Sequence, residues 1–189
     1  MSDLDDFVGI TVLMPTFNSA STIATALDSL FEQTFAFFEV IVIDNLSTDK
    51  TLEIIEHHPL KNITVISEED TGIYEALNKG ILRAKGQYIT ILHSTDLYNS
   101  KSCLQSSYNF LRAHNLAFCF GNAKIFDRNT GKIVRTLNYQ KFTKSWIRFG
   151  YMPPHPTLVI SLSLINEHEL LYDERYEICG DFEMVIRLF

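Results

Sequence analysis

The chain has 189 residues, enough for one domain with a sizeable core. Apolar residues make up 46% and charged residues 21%, the profile of an ordinary globular protein, and no apolar run approaches the roughly 18 residues that span a bilayer. The formal charge is −7 and no Lys/Arg cluster stands out, so nucleic acid is not expected as a partner, and an anionic ligand would need local neutralisation by a metal, backbone amides or a few cations.

Met1-Ser-Asp-Leu-Asp-Asp6 is acidic and is no signal peptide. Cys103, Cys119 and Cys179 are odd in number and form no Cys-x-x-Cys pair, which disfavours a disulfide framework or zinc site and fits a reducing cytoplasm. Ile10 to Pro15 predicts a first buried strand, and Ala20 to Gln33 carries apolar residues at helical spacing. Phe38 to Ile43 predicts a second strand, bounded by Asp44-Asn45. Ser47-Thr48-Asp49 supplies capping side chains for a helix through His57. Ile63 to Ser67 is a third strand, Gly72 to Ala84 a helix, and Tyr88 to Leu92 a fourth strand that breaks into His93-Ser-Thr-Asp96. Four strand–helix alternations predict a parallel sheet with helices on both faces.

The second half is less regular. Lys101 to His114 reads as a helix and Leu116 to Phe120 as a strand. Lys124–Phe126 and Lys132–Leu137 flank a hairpin loop at Asp127–Gly131. Three prolines in four residues exclude a helix from Tyr151–Pro156; a strand resumes over Thr157–Ile160 and a helix over Asp181–Phe189. The chain stops there without a stop signal and is expected to continue.

Polar clusters stand at four strand ends: Thr16/Asn18, Asp44/Asn45, Glu69/Asp70 and Ser94/Asp96. Any one of them alone is usually just a turn, because Asn, Asp and Ser bond locally to the backbone. Four on one sheet edge converge on one crevice, where open α/β sheets bind ligands. No Gly-x-Gly-x-x-Gly, P-loop or Gly-x-Ser-x-Gly occurs, which removes the commonest dehydrogenases, ATPases and hydrolases of this fold class.

Pro15-Thr-Phe-Asn18, Val42-Ile-Asp-Asn-Leu-Ser-Thr-Asp49, Ser67-Glu-Glu-Asp-Thr-Gly-Ile-Tyr-Glu-Ala-Leu-Asn-Lys-Gly80, Gly86 to Asp96 and Cys179-Gly-Asp-Phe-Glu183 together resemble family 2 glycosyltransferases of the glycosyltransferase A fold. The likeness runs from about Ile10 to the end, and the block around Asp70 and Lys79 resembles the branch that builds bacterial surface polysaccharides. It implies a three-layer α/β/α sandwich: a mostly parallel Rossmann-like sheet with a small antiparallel hairpin region. Residues 1–189 would form a single catalytic domain, with a nucleotide-sugar-binding half (1–98) and an acceptor-side half (99–189).

The resemblance implies transfer from a nucleotide-diphosphate sugar, a UDP-sugar, to a glycan or lipid-linked acceptor with inversion. The setting would be the cytoplasm, at the inner face of the membrane as a peripheral protein. Pro15, Thr16, Asn18 and Asp44 would contact the nucleoside, Asp70 and Lys79 would run along ribose and diphosphate, and Ser94 and Thr95 would belong to the donor site. Asp96 would ligate a divalent cation, Mg²⁺ or Mn²⁺, Asp181 would be the general base, and His155 would touch diphosphate or acceptor.

The chemistry asks for these types in its own right. A departing diphosphate develops charge that a cation stabilises, one carboxylate plus substrate phosphates can hold Mg²⁺, and an attacking hydroxyl needs a base. Two departures stand out: Thr95 replaces the first Asp of the usual Asn-Ser-Asp-Asp, which implies either weaker metal binding or compensation by His93, and Leu77 stands where many relatives carry Arg, which would shift phosphate neutralisation to Lys79 or Arg83, residue types more often found as solvated helix charges. A helix cap is the second reading of Asp181, His155 reads equally as structural, Trp146 and Tyr151 are more often core than sugar-stacking, and Glu183 is more often a solvated helix charge than an acceptor contact. A relative that binds nucleotide sugar without turnover, and a nucleotidyltransferase, stay open as alternatives. The latter would want a Gly-rich basic loop after the first strand, which Pro15–Ala20 does not supply.

Overall fold

The computed structural model describes residues 7–189; the acidic Met1–Asp6 stretch lies outside the described residues. The first half follows the alternation read from its periodicity: β1 (Ile10–Thr16), α1 (Ile23–Phe31), β2 (Phe38–Asp44), α2 (Thr51–His57), β3 (Ile63–Ser67), α3 (Ile73–Ile81) and β4 (Tyr88–Ile91). These four strands are parallel and lie in the order β3-β2-β1-β4. The chain therefore lays strands down on one side of β1 and then crosses to the other, which puts the topological switch point, where open α/β sheets bind ligands, at the carboxyl ends of β1 and β4.

Alternate residues of the strands feed two separate cores. Val12, Met14, Val40 and Val42 pack under Leu27 and Leu30 of α1, and Leu13, Ile41 and Ile43 pack under Leu77 and Ile81 of α3. Every residue of β1 is buried, the reason it reads as a continuous apolar run and not as an alternation. Helix α3 lies so near the sheet that a Cβ at Gly80 would fall 2.8 Å from the Ile43 side chain.

The second half adds α4 (Cys103–His114), β5 (Phe118–Cys119), β6 (Ala123–Phe126), β7 (Ile133–Leu137), β8 (Val159–Ser161), α5 (Leu162–His168) and α6 (Gly180–Leu188). Strand β8 slots antiparallel between β4 and β5, which completes a six-stranded, mostly parallel sheet, while β6 and β7 form the separate hairpin. Sheet, flanking helices and hairpin make the three-layer α/β/α architecture expected from the sequence.

Four elements differ from what the sequence predicts. The expected strand Leu116–Phe120 shrinks to two residues. His155–Thr157 closes a single 3-10 turn inside the proline-rich stretch, because Pro156 falls in its first turn, where no N–H is needed. A 3-10 turn at Lys144–Phe149 and helix α5, capped by the Ser161 hydroxyl on Leu164 N–H, had no clear periodic signal. Among the described residues, no helix is long and apolar enough to cross a membrane.

Candidate functional site

The ends of β1 and β2 are tied together by side chains at loop positions. Asn18 donates its N–H to Ser47 Oγ at 2.8 Å and accepts from Thr48 N–H at 2.9 Å; Asp49 accepts from Ala20 and Thr51 N–H. The Thr51 hydroxyl, first among these donors, holds the Asp49 carboxyl below its ordinary range. Pro15 and Thr16 are buried at the end of β1, and the Thr16 carbonyl accepts from Asn45 N–H. Asp44 is fully enclosed: it takes Ser47 N–H at 3.0 Å, the Ser47 hydroxyl, and the Ser67 hydroxyl at 2.8 Å. Asn18 and Leu46, both non-glycine, sit in left-handed backbone at φ 44° and 51°. Such strain concentrates at functional sites.

The loop from β3 to α3 carries Asp70 and Lys79. Asn45 Oδ1 accepts Asp70 N–H at 3.0 Å, and the Asp70 carboxylate accepts Gly72 N–H at 3.1 Å. Burial raises the Asp70 pKa, with Gly72 N–H and Lys79 opposing it. Lys79 is already well supplied, contacting Glu75 at 2.9 Å, the Glu69 carbonyl at 2.6 Å and Glu68 at 3.5 Å. The Thr71 hydroxyl and Lys79 in turn hold Glu75 down to about 2. Leu77 is buried in the core.

At the end of β4 the Ser94 hydroxyl meets the Ser19 hydroxyl at 2.8 Å, a bridge across the switch point between β1 and β4. Thr95 is exposed, and Asp96 is partly buried, its N–H donating to the His93 carbonyl at 2.9 Å. The Asp96 carboxylate accepts no hydrogen bond from the described residues, and burial pushes its pKa up against the opposing charges of His93 and Arg128. Burial lowers the pKa of His93, opposed by Asp96 and Asp181, so these three groups share one electrostatic neighbourhood.

Asp181 lies in the first turn of α6. Its Oδ1 accepts Phe182 N–H at 2.9 Å, and Tyr74 OH approaches it at 3.4 Å while accepting Gly180 N–H at 2.9 Å. The Tyr74 ring presses on this turn so closely that a Cβ at Gly180 would lie 2.8 Å from it. Cys179, before it, is in left-handed backbone at φ 66°. Tyr74 stacks on Tyr172 at 5.6 Å, and the Tyr172 hydroxyl bonds His155 Nε2 at 2.7 Å. Burial depresses the His155 pKa to about 4, with Asp181 opposing. His155 is therefore neutral near pH 7.

Tyr172 is itself clamped by Asn78 of α3, which accepts Tyr172 N–H at 2.8 Å and donates to its carbonyl at 2.9 Å. Asn78, Tyr74, Tyr172 and Ser19 had no assigned role in the sequence reading. Tyr74 and Asn78 lie within Ser67–Gly80, and their four-residue spacing on α3 is the signal the sequence offers for them. Trp146 and Tyr151 are exposed and not core, and Glu183 pairs with Arg187 at 2.8 Å.

A divalent cation fits this donor set in one way. Among the described residues, no three His, Cys, Asp or Glu side chains come together as a cage. Asp96 is a half-enclosed carboxylate left without a protein donor, so it could supply one ligand while substrate phosphates and water supply the others.

Residues 11–168 match the model of the family described as Glycosyl transferase family 2. An Escherichia coli relative, UDP-Glc:alpha-D-GlcNAc-diphosphoundecaprenol beta-1,3-glucosyltransferase WfgD, is 28% identical over 168 residues, which cover 86% of this chain and 64% of that enzyme. The crystal structure of S. aureus TarS 1-349 in complex with UDP-GlcNAc superposes with a TM-score of 0.80 at 23% identity, covering 95% of this chain and 53% of that one. The mannosyltransferase PcManGT from Pyrobaculum calidifontis, in complex with GDP-Man and Mn²⁺, gives a TM-score of 0.61 at 22% identity, covering 88% and 48%. At these identities the structural likenesses speak for the fold. The chain spans between about half and two thirds of the length of the three proteins.

Proposed function

The chain belongs to glycosyl transferase family 2, and from that premise we propose that it transfers a sugar from a UDP-sugar to a hydroxyl of a glycan or lipid-linked acceptor, with inversion, in cell-surface polysaccharide synthesis. Within one catalytic domain, residues 1–98 take the nucleotide and residues 99–189 contribute to the acceptor side, in the cytoplasm at the inner face of the membrane. Support for the donor comes from a relative named for UDP-Glc.

Pro15, Thr16, Asn18 and Asp44 form the nucleoside end, with the Asp44 carboxylate holding the β2–α2 loop in shape through Ser47 and Ser67. Asp70 and Lys79 border ribose and diphosphate, and Ser94 and Thr95 shape the turn that presents Asp96. Asp96 holds Mg²⁺ or Mn²⁺, whose chemistry is to stabilise the charge on the departing diphosphate. Asp181 takes the proton of the acceptor hydroxyl as that oxygen attacks the anomeric carbon. One displacement inverts that carbon and needs no enzyme nucleophile. His155 contacts diphosphate or acceptor as a neutral group.

The observation that carries this reading is the Asp96 carboxylate, half-buried at the end of β4 without a protein donor and sharing His93 with Asp181. Calorimetric titration with a panel of nucleotide sugars, with and without Mn²⁺, tests it. A UDP-sugar should bind in the presence of Mn²⁺ and weaken at least tenfold in excess EDTA or in Asp96→Ala. Tight binding in EDTA that Asp96→Ala leaves unchanged would remove Asp96 from metal binding.

A further inference from the structure

We propose that residues 124–149, the β6–β7 hairpin and the 3-10 turn after it, are a docking surface for an anionic lipid bilayer. Seven of the chain's 16 Lys and Arg residues fall between Lys124 and Arg148: Lys124, Arg128, Lys132, Arg135, Lys141, Lys144 and Arg148. Asp127 is the one carboxylate in that stretch, so all but one of the 23 acidic residues lie elsewhere. The cations come singly, three to six residues apart, which is why no cluster stands out along the sequence. All seven are exposed, and none makes an ion pair among the described residues. Asp127 is occupied by Thr130.

Large apolar side chains stand bare among these cations: Ile133 is 57% exposed, Val134 69% and Phe149 78%. Among the described residues the hairpin pairs with no third strand, and two strands alone are marginal in water. The segment is joined to the body at its root, where Asn122 Oδ1 accepts Tyr139 N–H and the Phe142 and Phe120 rings meet edge to face at 5.3 Å.

Exposed aliphatic and aromatic groups interleaved with Lys and Arg match an interface that is apolar inside and anionic at its surface. A nucleic acid would engage the cations but leave Ile133 and Val134 in water. The acidic remainder of the chain is repelled by an anionic bilayer, which turns the basic segment toward it. Arg128 donates to the Thr95 carbonyl at 3.3 Å, so the hairpin loop borders the end of β4. Docking in this way would hold that edge near headgroup-level acceptors; this consequence rests on the transfer reading, whereas the docking itself does not.

Co-sedimentation of the chain with vesicles, without sugar donor or acceptor, separates the two. Vesicles of 30% phosphatidylglycerol in phosphatidylcholine should retain the protein at 0.1 M NaCl at least tenfold more than pure phosphatidylcholine, and 0.5 M NaCl should release it. The variant Lys132→Gln/Arg135→Gln/Lys141→Gln should lose roughly a hundredfold in partition, at about fivefold per cation. Ile133→Ser/Val134→Ser should lose roughly tenfold. Lys50→Gln/Lys61→Gln/Lys85→Gln, on the body, should bind as the parent does. Equal retention on both vesicles, retention on neither, or parental partition of the hairpin triple variant at an unchanged melting temperature overturns the proposal. Capture by heparin without capture by vesicles does so too, in favour of a soluble polyanion.

Discussion

Asp44 and Asp181 are carboxylates at the ends of regular elements, and they are held in opposite ways. Asp44 closes β2, and its partners are close at hand: Ser47 lies three residues on and Ser67 is its register partner on β3. Asp181 stands in the first turn of α6, and its surroundings come from Tyr74 on α3, 107 residues earlier. Tyr74 rests in turn on Tyr172, which Asn78 of α3 clamps from 94 residues away. The proposed nucleotide side is thus built locally, by loops at adjacent strand ends. The proposed acceptor side is built by one helix of the first half reaching across to an irregular segment of the second. Substitutions in the two regions should therefore fail differently, locally in the first and at a distance in the second.

The largest expected effect separates chemistry from support on the acceptor side. Asp181→Asn should lower turnover by roughly a hundredfold or more, the scale of a lost general base, with donor affinity kept. Stability should move by less than about 1 kcal/mol, because only a favourable charge in the first turn is lost. Steady-state kinetics with donor and acceptor, beside a thermal melt, gives both numbers, and near-normal turnover would take Asp181 out of the mechanism.

Asn78→Ala tests the long-range clamp. It strips partners from the buried N–H and carbonyl of Tyr172 at once, which should cost about 3 kcal/mol. At this chain length that is a fall of roughly 6–12 °C in Tm. Donor binding should weaken far less than acceptor-dependent turnover if the clamp serves the acceptor side alone; an equal loss of both would merge the two regions.

His155 supplies a pH test of the same side. Burial holds its folded pKa near 4, below the 6.5 of an ordinary histidine, so the unfolded chain binds the extra proton first as pH falls. Its contribution is whole above pH 6.5 and is lost progressively between 6.5 and 4, reaching about 3 kcal/mol. Urea unfolding at pH 7.5, 5.5 and 4.5 should show that His155→Gln removes this share of the acid lability. If parent and variant lose stability in parallel, His155 is not buried neutral.

The smallest effect belongs to the nucleotide side. Leu46 pays for left-handed backbone at φ 51°, and Leu46→Gly relieves that strain while loosening the unfolded chain. The net gain should be about 0.5 kcal/mol, a rise of 1–2 °C in Tm. A clear fall would mean that the Leu46 side chain supports the loop.

The amino-acid sequence by itself determined the first half. Continuous apolar runs for β1 and β2, helical spacing on α1 and α3, and polar residues at each strand end follow from periods of the backbone that any window of ten residues reveals. It also brought out Asp96 and Asp181 as candidates, since motif order survives without coordinates. It gave no sign of α5, overextended β5, and missed the basic character of residues 124–149, whose cations are spread too thinly to register. Only the tertiary structure decided that β8 runs antiparallel between β4 and β5, that Lys79 is shared among three acceptors, and that Tyr74, Tyr172 and Asn78 link α3 to Asp181. The reason is physical. A strand or helix is written in spacings of two to four residues, whereas a side chain's partner across some 100 residues is chosen by packing and burial, and leaves no period to read.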